Sequence, residues 1–96
     1  MTLDKSFQLQ ILMPSGIYYQ DQIMELVFPA KDGLRAILYN HAPFLSAIGK
    51  GVLRINKPDG TSKQFEIQQG MLHIKQNLCT ILTEHIGLSQ DIVSQT

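Results

Sequence analysis

Several features that other functional classes require are scarce in this chain. Its 96 residues include one cysteine, no tryptophan and only 17% charged side chains. Eight Lys and Arg balance eight Asp and Glu, so the positive excess used to bind nucleic acids or anionic membranes is missing. No apolar run approaches the roughly 20 residues of a membrane span, and the first five residues do not resemble a signal peptide. We therefore expect one soluble, cytosol-like domain.

The single cysteine, Cys79, has no partner for a disulfide within the chain. Its neighbours in Leu78–Leu82 are mostly apolar, which predicts a small buried side chain in a strand and a reducing compartment. A nucleophilic thiolate would need an adjacent base or a helix N-terminus, and the sequence shows neither.

Glutamine supplies much of the polarity that charged residues usually provide. Eight glutamines lie in the candidate strands and turns: Gln8, Gln10, Gln20, Gln22, Gln64, Gln68, Gln69 and Gln76. A neutral polar surface costs less to desolvate against a partner than one covered in Lys and Glu. Compositional drift of the source genome would explain the same enrichment, and both interpretations remain open.

Alternation of apolar and polar residues with a period of two predicts strands along most of the chain. The pattern is regular in 7–13 and in 64–68, where Phe65 and Ile67 are expected to point inward. Turn signals separate the candidate strands at 14–16, 31–33, 58–60 and 76–77. Pro29 is expected to end the strand before the second of these turns, and 40–46 is expected to be a loop because Pro43 cannot donate to a strand ladder. This spacing is typical of an all-β fold, an antiparallel β-sandwich or flattened barrel of about 8–10 short strands. We expect the sandwich to occupy residues 1–85 and a short tail to occupy 86–96, where Ser89 could cap a helical turn.

None of the usual catalytic or metal-binding patterns is present. His41, His73 and His85 have no ligand at metal-binding spacing, so no metal site is expected. A triad of Ser46, His41 and Asp32 can be drawn on paper, but no nucleophile elbow supports it. The chain also lacks paired carboxylates and a phosphate-binding loop, so we expect no catalytic residue and no cofactor.

Two features remain open at this point. The segment 17–28, with the apolar side chains of Tyr18, Tyr19, Met24, Leu26 and Phe28, either lies between two sheets or forms, in part, an exposed docking patch. The loop around His41, Ala42, Pro43 and Phe44 either closes one end of the sandwich or offers a stiff contact surface.

A combination of motifs resembles the epsilon subunit of F-type rotary ATP synthases. It consists of Leu9–Pro14, Phe28–Gly33, Ile37–Leu45, Gly51–Ile55 and Gly70–Ile74, in this order and spacing. The resemblance covers about residues 6–85, the N-terminal β-sandwich of that family, and the order of the motifs is far more specific than any one of them.

The resemblance implies a non-catalytic rotor subunit that couples proton- or sodium-driven rotation to ATP synthesis. Its partners would be the gamma subunit and the ring of c subunits, on the cytoplasmic face of a bacterial membrane. The implied gamma contacts are Asn40, His41, Ala42, Pro43 and Phe44. The implied c-ring contacts are Met13, Pro14, Asp32, Gly33 and Leu34.

The chain departs from the family pattern in three positions and at its end. Leu34 stands where an acidic residue is usual, and Ala36 and Asn40 replace glycines; Asn40 can still adopt a positive φ, which Ala36 does poorly. The region of the family's C-terminal helical hairpin is missing, so we expect neither inhibition of the catalytic head nor nucleotide binding.

Two alternatives compete with the rotor subunit. One is a free-standing sandwich that binds a ligand or serves as an adaptor; the absence of tryptophan and the presence of only three tyrosines argue against a carbohydrate site. The other is a small hydrolase built on His41 and Ser46.

Overall fold

Ten β-strands make up the fold in the computed structural model, which describes residues 5–88. In chain order they are β1 (Phe7–Met13), β2 (Gly16–Ile23), β3 (Glu25–Ala30), β4 (Gly33–Leu38), β5 (Phe44–Ile48), β6 (Gly51–Asn56), β7 (Ser62–Ile67), β8 (Gly70–Lys75), β9 (Leu78–Leu82) and β10 (Ile86–Leu88). The helical turn expected after Ser89 lies outside the described residues. Within residues 5–88 there is no helix of the length and apolarity needed to cross a bilayer.

The strands form two five-stranded sheets packed face to face. Sheet A has the order β2-β1-β9-β8-β5, and sheet B has the order β10-β7-β6-β3-β4. All neighbouring pairs are antiparallel except β1 and β9, which are parallel. The predicted sandwich is therefore confirmed, whereas the parallel pair was not foreseen because it joins strands about 70 residues apart in sequence.

The core lies between the sheets and consists of the inward positions of each strand. Its buried apolar side chains are Phe7, Leu9, Ile11, Ile23, Leu26, Phe28, Ile37, Ile48, Leu53, Ile55, Phe65, Ile67, Leu72, Ile74, Cys79 and Ile81. The inward orientation of Phe65 and Ile67 and the burial of Cys79 are as predicted. Burial also raises the pKa of the Cys79 thiol to about 12, so the thiolate is disfavoured at neutral pH.

Two predicted turns have the expected conformations. Gln76 and Asn77 both adopt positive φ, 52° and 60°, which matches the right-handed twist of the β8 and β9 strands that they join. In the β6–β7 hairpin, Gly60 has φ 90° and donates its amide to the Lys57 carbonyl at 3.0 Å, while the Asp59 carboxylate accepts from the Thr61 amide.

The structure corrects the prediction in three places. Pro29 does not end its strand: it lies inside β3, beyond the last residue that pairs with β6, where the missing amide removes no bond to that neighbour. The loop expected over 40–46 ends earlier, because β5 begins at Phe44 directly after Pro43. The apolar segment 17–28 is two strands in different sheets, which cross over at Met24.

Sheet B extends beyond residue 85, where we expected the sandwich to end. Ile86–Leu88 form β10, which pairs with β7 so that Ile86 lies opposite Ile67 and Leu88 opposite Phe65.

A polar cluster joins the two sheets along the side that carries β2. Lys57, at the end of β6, binds the carboxylate of Asp21 on β2 at 2.8 Å, and the Tyr19 hydroxyl donates to the same oxygen at 3.0 Å. Desolvation opposes the ionisation of Asp21, but the hydrogen bonds from Lys57, the Gln22 amide and Tyr19 outweigh it and lower the pKa of this carboxyl. For Tyr19, desolvation and the neighbouring carboxylate raise the pKa of the phenol.

This cluster predicts a pH dependence of stability. Because the pKa of Asp21 is lower in the folded state than in the unfolded one, its contribution is complete above about pH 4 and disappears as the pH falls through the folded pKa. We expect Asp21→Asn to lower the free energy of unfolding at pH 7 by about 0.5–1 kcal/mol and to flatten the loss of stability below about pH 4. Urea unfolding at pH 7 and at pH 3 measures both effects; equal losses at the two pH values would contradict the prediction.

The packing around Gly70 leaves no room for a side chain. A Cβ added there would lie 2.6 Å from the backbone oxygen of Leu82, on the neighbouring strand β9. We expect Gly70→Ala to destabilise the fold by about 1–3 kcal/mol, because two paired strands would have to separate. Gly87→Ala is the matched control, since a Cβ at Gly87 meets nothing within 4 Å. Comparable losses of stability in the two variants, measured by thermal unfolding, would refute this interpretation.

Candidate functional site: the two ends and the outer face of sheet A

The residues of the hypothetical triad are engaged separately. The Ser46 hydroxyl donates to the Ala47 carbonyl at 3.0 Å, Nδ1 of His41 lies 2.7 Å from the Ala42 carbonyl oxygen, and Asp32 binds Arg35. Within residues 5–88 these three side chains share no hydrogen bond with one another, and no group of three His, Cys, Asp or Glu could hold a metal ion. The geometry therefore offers no support for the hydrolase alternative.

Connections between successive strands alternate between the two ends of the sandwich. The first end carries the turns β1–β2, β3–β4, β5–β6, β7–β8 and β9–β10; bonds from the Gly49 amide to the Pro29 carbonyl and from the Thr83 amide to the Leu12 carbonyl tie it together. The second end carries the remaining connections, including the β4–β5 loop and the Gln76–Asn77 turn.

This alternation separates the two groups of predicted contact residues. Met13, Pro14, Asp32, Gly33 and Leu34 all lie in or directly beside the β1–β2 and β3–β4 turns at the first end. The two turns lie toward opposite sides of that end, because β1 and β2 lie at one side of sheet A and β4 is the opposite edge of sheet B. Leu34 is the most exposed large apolar side chain of the described residues, at 73%.

At the second end, the β4–β5 loop carries the other group. Asn40 adopts φ 65°, and its amide donates to Oδ1 of Asn77 at 2.6 Å. Ala42 and Pro43 are exposed, and the half-buried Phe44 packs against the core. The bond from Asn40 and the packing of Phe44 hold both ends of this short loop in place.

An apolar row on the outer face of sheet A was missed by the sequence analysis. The strand register places Ile17, Leu12, Leu82, Met71 and Ala47 side by side across all five strands. Ile17, Leu82 and Met71 are between 42% and 59% exposed. The sequence did contain one sign of this row: segment 78–82 is apolar at all but one position, so both faces of that strand had to carry apolar side chains.

The rest of this outer face carries almost no charge. Beside the row lie the side chains of Gln8, Gln10, Gln20, Gln22, Leu45, His73, Lys75, Leu78 and Thr80, paired by the same register. These residues include no carboxylate and one lysine. A large apolar area surrounded by uncharged polar groups is typical of a protein-binding surface.

The segment 17–28 therefore divides between the two interpretations that the sequence left open. Ile23, Leu26 and Phe28 are buried between the sheets, and the Tyr19 ring packs against Phe65 with centroids 5.0 Å apart. Ile17, in contrast, contributes to the exposed row.

Comparison with known proteins identifies the family. Residues 6–88 match the family described as the ATP synthase delta/epsilon chain, β-sandwich domain. The chain belongs to this family. Two curated relatives are the ATP synthase epsilon chains of Leptospira borgpetersenii, 36% identical over 84 residues, and of Chlorobium limicola, 31% identical over 84 residues. Each alignment covers 88% of this chain; it covers 65% of the Leptospira protein and 96% of the Chlorobium protein.

Solved structures agree with this family in fold. A chain of the Euglena gracilis mitochondrial ATP synthase assembly of OSCP, F1 and c-ring matches 86% of this chain and 53% of its own length, with a TM-score of 0.81 at 16% identity. A chain of the Tetrahymena thermophila mitochondrial ATP synthase central stalk and c-ring matches 82% of this chain and 63% of its own length, with a TM-score of 0.70 at 15% identity.

The structure accounts for two of the departures that the resemblance implies. Asn40, where the resemblance implies a glycine, adopts a positive φ, a region that asparagine tolerates better than most other side chains. Ala36 lies inside β4, paired with Val27, and is not among the positive-φ residues, so its Cβ causes no backbone strain.

The anchoring of the loop predicts a measurable change in hydrogen exchange. We expect Asn77→Gly to preserve the β8–β9 turn, because glycine accepts positive φ, and to remove the acceptor of the Asn40 amide. Exchange of that amide, followed by NMR, should accelerate about ten-fold or more. Gln76→Gly is the control, since it relaxes the same turn and keeps the acceptor; equal acceleration in both variants would show that the bond does not hold the loop.

Proposed function

We propose that the chain is a non-catalytic subunit of the central stalk of an F-type ATP synthase. In this role it packs on the gamma subunit and the c-ring, and it helps to couple proton- or sodium-driven rotation to ATP synthesis. As part of such a complex it would be peripheral, on the cytoplasmic face of a bacterial membrane. Family membership supports the proposal, and so do the named assemblies to which the fold is similar.

The observation that carries the proposal is the apolar row on the outer face of sheet A. Five strands about 4.8 Å apart make a face roughly 24 Å wide, and the strands extend for about 20 Å. The projected area of about 500 Å², together with the adjoining β4–β5 loop, approaches the roughly 800 Å² that one partner contributes to a stable interface. Since the face is nearly uncharged, the partner surface should be apolar and uncharged as well.

We assign this face and the loop Asn40–Phe44 to the gamma subunit. Leu45 continues the loop onto the outer face, where it lies opposite His73, so the two surfaces form one contact area. The first end of the sandwich, with Met13, Pro14, Asp32, Gly33 and Leu34, then remains available for the c-ring. Leu34 would add an exposed apolar side chain to that contact, beside the Asp32 carboxylate.

The proposal predicts loss of gamma binding from a single change on the outer face. Leu82→Gln should weaken the affinity for the gamma subunit about five- to thirty-fold, because it places an amide in the centre of the apolar row. Val52→Gln is the matched control, since Val52 is similarly exposed on the opposite outer face, that of sheet B. His41→Ala should cost about 1–2 kcal/mol through the loop.

Titration calorimetry of the purified chain with the gamma subunit of the same complex measures these affinities, and circular dichroism confirms that each variant folds. Absence of binding by the unmodified chain would refute the proposed function. Equal losses in Leu82→Gln and Val52→Gln would refute the assignment of sheet A.

A further inference from the structure

We infer that Arg35 is a positioning residue for the gamma-facing loop, through its contact with the ring of Phe44. This inference rests on the proposed function and assigns a role to a residue that belongs to neither group of contacts described above. Arg35 lies on β4, the edge strand of sheet B, whereas Phe44 begins β5, the edge strand of sheet A.

The two edge strands are joined here by side chains. β4 pairs with β3 and β5 pairs with β8, so no strand ladder connects β4 to β5. The guanidinium carbon of Arg35 lies 5.7 Å from the centroid of the Phe44 ring, within the range of a cation–π contact. The contact therefore crosses the opening between the sheets on this side of the sandwich.

Phe44 passes this constraint on to the loop. The rings of His41 and Phe44 meet edge to face, with centroids 5.5 Å apart. His41 is half-buried, and its contact with Phe44 fixes the direction in which the loop presents its imidazole. A movement of the Phe44 ring would consequently displace His41, at the centre of the proposed gamma contact.

Asp32 holds Arg35 from the other side. Its carboxylate accepts a hydrogen bond from Nη2 of Arg35 at 3.3 Å. Asp32 is in the β3–β4 turn, three residues before Arg35 in the sequence. Both side chains are about half exposed or more, so the ion pair alone adds little stability; what it does is select the guanidinium orientation. Asp32, Arg35, Phe44 and His41 thus form a continuous series of contacts from the first end to the second.

The planar guanidinium suits this position better than an ammonium would. It can bind a carboxylate through its edge while its face lies against an aromatic ring, which a lysine cannot reproduce. We therefore expect Arg35→Leu to weaken gamma binding about two- to five-fold, the change that an exposed cation–π contact supports, and Arg35→Lys to give an intermediate value.

A double-mutant cycle tests the inference in the complex of the full chain with the gamma subunit. If Arg35 acts through Phe44, Arg35→Leu should have no further effect in the background of Phe44→Leu. Arg54→Leu is the matched control, since Arg54 is an exposed arginine on the outer face of sheet B, and it should leave the affinity unchanged. If Arg35→Leu unfolds at the same temperature as the unmodified chain, its effect on binding comes from the position of the loop and not from a less stable fold.

A spectroscopic signature tests the same contact in the free chain. The δ-protons of Arg35 should be shifted upfield by the Phe44 ring current, and the shift should vanish in Phe44→Leu. An Arg35→Leu effect that persists in the Phe44→Leu background, or that Arg54→Leu reproduces, would overturn the inference. So would unchanged affinity in Arg35→Leu while His41→Ala and Phe44→Leu weaken binding. If those two changes also leave the affinity unaltered, the assignment of the loop to gamma fails instead.

Discussion

The packing of two five-stranded sheets against each other is the constraint from which the other properties of this chain follow. Each strand contributes one row of apolar side chains to the core, so its alternate residues must face outward. The sixteen buried apolar side chains between the sheets form the core without any outward row, so an apolar row on an outer face is not part of what holds the sheets together. Ile17, Leu82 and Met71 form such a row, which the proposed function assigns to a partner surface.

The same constraint separates the surfaces that partners can use. Because the connections alternate, residues close in sequence, such as Leu34 and Asn40, lie at opposite ends of the sandwich after only one strand. A sandwich placed between two partners can in this way contact one with its turns and the other with its loop and a sheet face. The side chains that join the edges, Lys57 to Asp21 on one side and Arg35 to Phe44 on the other, link sheets that share no strand ladder.

Local chemistry made parts of this architecture predictable. The alternation around Phe65, the turn at Gln76 and Asn77 and the positive φ of Asn40 depend on a few neighbouring residues, and all three occur as expected. Pro29 was misjudged because the cost of a missing amide depends on whether a second strand lies beside it, which is a property of the sheet. The early start of β5 was missed for a related reason, since its partner β8 lies about 25 residues further along the chain.

By itself, the sequence determined the β-class of the fold, the positions of most turns, the family and the lack of any recognisable catalytic pattern, because each depends on local residue order and composition. Only the tertiary structure decided which apolar residues became core and which became surface. Leu82 and Ile81 have similar hydrophobicity, but Ile81 is buried and Leu82 is exposed, because successive residues of a strand point to opposite faces of the sheet. The row across sheet A depends on pairing between strands that are distant in sequence, and the contact of Arg35 with Phe44 depends on how the two sheets pack, so local residue order decides neither.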